Sequence, residues 1–456
     1  MGRLSYQEGL LLDKLRSIVG AANVLTGVEL SPYAVEGRTP EAAVFPGSAA
    51  EVRAVVELAG VEGVPIVPWG GGTAASVGTP AVRSGLVLGS SRLNRVLEHE
   101  PGDLTATVEA GTTIAALQST LRSRGQWLSL DPPDAERATV GGVVAANASG
   151  PRRQLYGTPR DLLIGVTVVT GGAALVRGGG KVVKNVAGYD LPKLFIGSYG
   201  TLGIIVEVTL KLRPLPEAER LVAVGFDRLK DAGSAVRSIL ASDLIPAALE
   251  LLDAEATRAL ELGVTSPGGA ALASTAGAVL VVGFDGLPEQ VEWQCLELAR
   301  LTAPLGGRAV ETLASQTWPR LARAAYEAFA TPAAVMKLVV LPAGLAEAME
   351  HGANAARQRG LLSAWSAHAG VGVVTAALAT AREQPALGPI TTVLGEWRQI
   401  ARAGGGHAVL EWAPQAVKAE IPVWDDPGPA ARIMQRIKAQ LDPQNVLNPG
   451  RFVAGI

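Results

Sequence analysis

Three consecutive glycines, Gly70, Gly71 and Gly72, followed by Thr73, Ala74 and Ser76, close an apolar run that contains Pro68 and begins at Val64. A strand ends there and a loop of main-chain amides begins. Successive N–H groups in such a turn form a concave, partly positive nest that suits a pyrophosphate, and a hydroxyl at Thr73 or Ser76 adds a donor. The pattern is neither G-x-x-x-x-G-K-[ST] nor a strand-linked G-x-G-x-x-G with an acidic residue about 20 positions on. The mononucleotide and nicotinamide fingerprints are therefore both missing. Downstream, residues 139–213 crowd small residues at the ends of β-rich runs, among them Gly141, Gly142, Ala146, Ser149, Gly150, Gly157, Gly200 and Gly203. Glycine admits a ligand close to the main chain, so this crowding predicts a backbone lying against a large flat cofactor.

The groups able to move a proton are few. His99 lies between Glu98 and Glu100 and reads as a solvated strand end, and His351 sits in a charged helical stretch. His368 and His407 remain as candidate bases, imidazole having an ordinary pKa of about 6.5, and each could equally be a structural hydrogen-bonder. Cys295 is the one cysteine, which rules out an intrachain disulfide and a self-contained iron–sulfur cluster. That thiol count fits a reducing, cytoplasmic setting.

These groups need a large scaffold. A chain of 456 residues, 48% hydrophobic and with net charge −2, is long enough for two or three lobes with full cores. Its near-neutral balance excludes a nucleic-acid-coating protein. The first 20 residues have helical spacing without a signal peptide's apolar core, and the uncharged stretch 264–284 contains Pro267 and is too polar to span a membrane. Residues 43–65 read as strand, turn and helix, with Ser48 and Glu51 forming a capping box. Strands follow at 85–88 and 106–109, then a helix capped by Thr112 or Thr113 and closed by Gly125. Short strands mixed with helices argue for the α+β class. Pro214 and Pro216 mark a boundary, so domains are expected at 1–216, 217–430 and 431–456. Strands are expected at 278–283 and 335–341 and a last helix ending near Leu441.

The two glycine-rich segments resemble the FAD-binding domain of the vanillyl-alcohol oxidase and p-cresol methylhydroxylase (PCMH) superfamily. Within it the chain is most similar to the FAD-binding E subunit of bacterial glycolate oxidase. The motifs that carry the likeness are Gly150-Pro151-Arg152-Arg153 with Gly157, Arg160 and Asp161; Lys184-Asn185-Val186-Ala187-Gly188-Tyr189-Asp190; Gly197-Ser198-Tyr199-Gly200-Thr201-Leu202-Gly203; and Asn448-Pro449-Gly450-Arg451. The resemblance implies a PCMH-type two-subdomain FAD domain, an α+β cap, and a C-terminal segment that returns to the FAD domain. It implies that Pro68, Gly70, Gly71, Gly72, Thr73, Ala74 and Ser76 hold the pyrophosphate. It implies further that Pro132, Thr139, Gly141, Gly142, Ala146, Ser149, Gly150, Tyr156 and Gly157 line the ribityl chain and ring, with Gly200, Thr201, Gly203, Ile204 and Ile205 along the adenine side. Relatives that tether FAD at the pyrophosphate loop use a histidine after the glycines; Thr73 stands there, which implies non-covalent FAD.

Relatives that oxidise D-2-hydroxy acids carry H-x-G-D-G-N-x-H and a later G-E-H, which supply metal ligands and a histidine base. Here the first reads from His368 to Thr375 as HAGVGVVT, and the second is Gly405-Gly406-His407. Thr375 and Gly406 replace two ligands, so no metal is expected. The basic residues between Arg152 and Arg213 could pair with FAD phosphates, hold an anionic reduced flavin, face a partner, or form ordinary surface salt bridges. The resemblance implies a subunit that works with a catalytic flavoprotein subunit and an iron–sulfur subunit of a glycolate oxidase complex. The substrate would be glycolate or D-lactate, and any membrane association would come through the partners. Two other readings stay open: a stand-alone, metal-free FAD-dependent 2-hydroxy-acid dehydrogenase using His407 or His368, and an FAD-binding scaffold without chemistry of its own.

Overall fold

The computed structural model describes residues 6–181, 190–262, 277–308, 310–380 and 386–456. They form two compact units, both mixing helices with sheet. One comprises the chain up to Ala148 with Thr158–Leu215 and Asp426–Ile456; the other comprises Ser149–Gly157 and Pro216–Asp425.

The first unit holds two sheets. One orders its strands Val24–Leu25, Ala42–Val44, Leu86–Gly89 and Ile66–Trp69, the last three parallel. Parallel strands need a covering connection, and the helix Ala49–Glu62 provides one, burying Val52, Val55, Val56 and Ala59. Ser48 Oγ accepts the Glu51 amide at 3.2 Å as an N-cap, and Gly63 ends the helix in the left-handed conformation. The expected capping box is displaced by one residue, because the Glu51 carboxylate accepts from the Gly47 amide (2.8 Å). The other sheet is antiparallel, in the order Val96–Glu100, Thr105–Glu109, Gly203–Lys211, Leu163–Thr170 and Leu175–Gly179. Thr113 caps the helix Ile114–Arg122, and Thr139 caps Val140–Ala146.

The C-terminal helix Ala431–Leu441 is tied into this unit by a buried lysine. Lys438 Nζ donates to the carbonyls of Thr201 (2.8 Å) and Leu447 (2.7 Å) and to Asp442 Oδ2 (2.6 Å). Asp442 in turn accepts the amides of Val446 and Leu447. A buried cation is tolerable only with such partners.

The second unit is built on one antiparallel eight-stranded sheet. From its third strand to one edge the order is Ala278–Gly286, Ala248–Asp253, Leu362–His368, Val373–Ala379, Ala334–Val339 and Ala408–Trp412. Side chains alternate between faces. Leu251, Leu280, Met336, Leu338 and Trp365 share one apolar core with residues of the helices Leu229–Leu240, Leu345–Gln358 and Leu387–Ala403. Trp365 meets Trp397 edge to face at 4.7 Å, and a Cβ on Gly352 would overlap the Trp365 ring. The segment Ser149–Gly157 is clasped here: Arg152 pairs with Glu219 and Asp285 and lies 4.1 Å over the Trp318 ring, while Tyr156 Oη donates to Asp285 at 2.7 Å. Among the described residues no helix is long and apolar enough to cross a membrane.

Candidate functional site

In the first unit the glycine loop, the helix Val140–Ala146, the start of the strand Gly203–Lys211 and the C-terminal turn surround a cavity of about 970 Å³, its open mouth included. Among the described residues, none accepts a hydrogen bond from the amides of Gly70, Gly71, Gly72, Thr73 or Ala74. Five unspent N–H groups in sequence are the donor set an anionic pyrophosphate needs. The loop is held from behind, where Arg137 donates to the Gly71 carbonyl (3.0 Å) and Arg451 to the Ala75 carbonyl (2.8 Å).

Pro68, Gly70, Gly71, Gly72, Thr73, Ala74, Gly141, Gly142, Ala146, Gly200, Thr201, Gly203, Ile204 and Ile205 all line this cavity. Ser76, Pro132 and Thr139 belong to the same unit but do not form its wall. Ser149, Gly150, Tyr156 and Gly157 group with the second unit instead, where Arg152 and Tyr156 are engaged with Asp285. Lys184 to Tyr189 of the Lys-Asn box lie outside the described residues. Trp69, Ala110 and Phe452 also line the cavity, as do Tyr199, Asn448 and Arg451, which stand in the motifs that carry the likeness but were given no place in the site. The boxes at 197–203 and 448–451 were the sequence signals that could have found those three.

The glycines serve the cavity differently from the expectation. A Cβ on Gly70 would overlap Thr139 Oγ1, one on Gly71 the Arg137 carbonyl, one on Gly141 Ala110, and one on Gly203 Val168. These positions are small so that the loop, helix and strand can press against the protein behind them. Only then does the space in front open.

The second unit carries the titratable groups. Cross-strand partners share a sheet face, and register places Glu250 opposite His368, Ser366 opposite Thr375, and Thr375 opposite Lys337. His368 Nδ1 lies 2.8 and 2.9 Å from the two oxygens of Glu250, whose carboxylate is fully enclosed. Burial pushes the Glu250 carboxyl above the usual range, with His368 and Arg153 pulling it back. Gln154 Oε1, buried and without a partner, lies against Gly370, two residues beyond His368. His407 is exposed, and its carbonyl accepts the Val339 amide (2.8 Å). At Gly406 a Cβ would overlap the Val339 carbonyl, so the position of the relatives' acidic ligand has no room for a side chain. Of the basic run, Arg152 is paired as above, Lys181 pairs with Glu98 and Lys193 with Asp190.

The residues present therefore fit FAD in the first unit: an anion nest and a glycine-walled slot. The family of the FAD binding domain matches residues 40–179, and that of the C-terminal domain of FAD linked oxidases matches residues 215–452. Glycolate oxidase subunit GlcD of Bacillus subtilis (strain 168) is 31% identical over 425 residues, 91% of this chain and 89% of that protein. D-lactate dehydrogenase of Archaeoglobus fulgidus is 30% identical over 430 residues, 90% of each. The crystal structure of p-cresol methylhydroxylase with substrate bound covers 99% of this chain and 98% of its own, with a TM-score of 0.78 at 18% identity, a likeness of fold. The chain belongs to the FAD-linked oxidases and is an FAD-dependent oxidoreductase.

Proposed function

We propose that this chain is the FAD-binding subunit of a glycolate oxidase-type complex. It takes part in oxidising glycolate or D-lactate to the 2-oxo acid, with electrons leaving to an iron–sulfur partner. The observation that carries this reading is the cavity with five unspent loop amides, and the relatives named for glycolate and D-lactate give the substrate class. Bound FAD supplies the acceptor for the hydrogen on the substrate's α-carbon. The chain's own part is to hold the pyrophosphate on Gly70 to Ala74 and to exclude water from the slot beside Gly141 and Gly203. A single cysteine supports a separate iron–sulfur subunit, since the chain offers no set of thiolates. The partners' contact surface and a cytoplasmic location belong to this proposal.

A second reading, the isolated chain as a metal-free dehydrogenase, is favoured by the Glu250–His368 pair. A carboxylate on Nδ1–H fixes the tautomer and leaves Nε2 as the acceptor for the substrate's hydroxyl proton. The test is the visible spectrum of the FAD-loaded chain, recorded anaerobically before and after glycolate or D-lactate, with and without co-expressed partners. Bleaching only with partners supports the subunit reading, and bleaching by the chain alone supports the second. No FAD binding overturns both.

A further inference from the structure

The helix Pro288–Thr302 buries Val291, Gln294, Leu298 and Thr302 in the second unit and turns a different stripe outward. Glu289, Trp293, Leu296 and Arg300 follow one another at steps of four, three and four residues, so at 100° per residue they fall within about 60° on the outer face. All four are exposed, Trp293 by 48% and Leu296 by 67%, which sets two large apolar side chains side by side where a solvent-facing helix carries polar ones. Ile245, 62% exposed, extends the patch: its amide donates to the carboxamide of Gln294 (2.7 Å), the residue next to Trp293. The stripe is charged at both ends, with opposite signs. Glu289 has no ion-pair partner among the described residues. Arg300 is held by Glu297 through Nε (2.8 Å) and Nη2 (2.6 Å), which leaves Nη1 over on a side chain that is 71% exposed.

Apolar in the middle and oppositely charged at its ends, the stripe is complementary to its own reverse. Glu289 and Arg300 share one midpoint with Trp293 and Leu296, between Gln294 and Cys295. A two-fold axis at that point lays a second copy of the helix antiparallel to the first, with Trp293 level with Leu296 of the other copy and Glu289 level with its Arg300, each pair formed twice. A parallel pair would set like charges together. Steps of four and three residues are those of a seam between paired helices, and the antiparallel arrangement also opposes the two helix dipoles. An anionic lipid surface is disfavoured by the outward carboxylates of Glu289 and Glu292. We propose that this face of the helix Pro288–Thr302 docks a second copy of the chain in a two-fold dimer, with Trp293 as its anchor. An unlike partner would not require complementarity of the stripe with itself.

The test is sedimentation velocity of the full-length, FAD-loaded chain over the micromolar range. Wild type is expected to show a concentration-dependent dimer, and Trp293→Lys a monomer with unchanged FAD content. Glu289→Arg sets an arginine against Arg300 of the other copy, and Arg300→Glu sets a glutamate against its Glu289. Each variant, shown to be folded by circular dichroism, should weaken the dimer about tenfold. Mixing the two variants restores both unlike pairs in a heterodimer, so the mixture should recover most of the wild-type affinity. A wild-type chain that stays monomeric throughout the range overturns the proposal, as does a dimer that Trp293→Lys leaves intact, or a pair of folded variants that mixing does not rescue. A chain that is monomeric alone but binds a co-expressed subunit through Trp293 gives the face to that subunit and overturns the second copy as its occupant.

Discussion

Glu250 and His368 face one another across adjacent antiparallel strands, with Nδ1 of the imidazole within 2.9 Å of both carboxylate oxygens. In the reading where the isolated chain is catalytic, this pair sets the proton acceptor. His368→Ala is then expected to slow anaerobic flavin bleaching by D-lactate by a factor of about 10² to 10⁴ while leaving FAD affinity unchanged. Glu250→Gln keeps a Nδ1 acceptor and removes the charge, so it should cost less, roughly 10- to 100-fold, and shift the pH–rate profile. Equal bleaching by wild type and His368→Ala assigns the base elsewhere.

Asp253 caps the helix Ala254–Ala259, its Oδ1 accepting the Ala256 amide at 2.8 Å, yet burial pushes its carboxyl up to about 7. A carboxyl whose folded pKa is raised favours the folded state below the unfolded value and loses that contribution as pH rises through the folded value. The second unit should therefore lose stability between about pH 4 and 7, by roughly 4 kcal/mol at the full shift. Asp253→Asn keeps the cap and removes the titration. Urea melts of both proteins at pH 5, 6, 7 and 8 should show a slope in wild type that is flatter in the variant.

Gly71→Ala places a methyl against the Arg137 carbonyl. The loop must move off its support, and the nest of amides moves with it. The expected outcome is at least a tenfold rise in the FAD dissociation constant, with the second unit's Trp365–Trp397 contact intact. Fluorescence quenching measures the first, and near-ultraviolet circular dichroism the second. Unchanged FAD affinity would remove the loop from the site.

Lys438→Met leaves Asp442 enclosed without its cation and releases the Thr201 and Leu447 carbonyls. Breaking a buried pair by removing one partner costs about 3–5 kcal/mol. Because Thr201 lines the cavity, releasing its carbonyl should also weaken FAD, and the stabilisation FAD adds by mass action shrinks with it. Thermal melts with and without FAD should show a smaller FAD-induced rise in the variant than in wild type.

The first unit was legible where local chemistry decides structure. Ser48, Thr113 and Thr139 cap helices through their own hydroxyls, Gly63 closes a helix with positive φ, and Gly125 takes positive φ in the turn just beyond the helix that ends at Arg122, all readable from residue type and spacing. The loop at Gly70 was legible for the same reason. Asn448 and Arg451 were not placed on the wall, because they reach it from hundreds of residues away and only tertiary packing brings them together. Ser149 to Gly157 sit inside the FAD-like stretch of sequence, but Arg152 finds Glu219, Asp285 and Trp318, partners more than 60 positions downstream. Glu250 carried no motif at all. Its pairing with His368 depends on strand register, which a single sequence does not specify.

The altered metal motif gives the last prediction. Thr375 lies on the half-buried face beside Lys337 and Ser366, so Thr375→His substitutes one polar side chain for another there and should leave the melting temperature near that of wild type. Gly406 is different, since any Cβ meets the Val339 carbonyl on the neighbouring strand. Gly406→Glu must displace main chain, at a cost of roughly 1–3 kcal/mol, before its carboxylate can reach any ligand position. The Thr375→His/Gly406→Glu double variant is therefore expected to melt lower than wild type and to retain no stoichiometric zinc after dialysis. Zinc content by atomic absorption, alongside the melts, decides the matter: one zinc per chain with an unshifted melting temperature would show that only two substitutions separate this site from a metal centre. The expected result would show that the backbone packing near Val339, and not the identity of two side chains, opposes a metal at these positions.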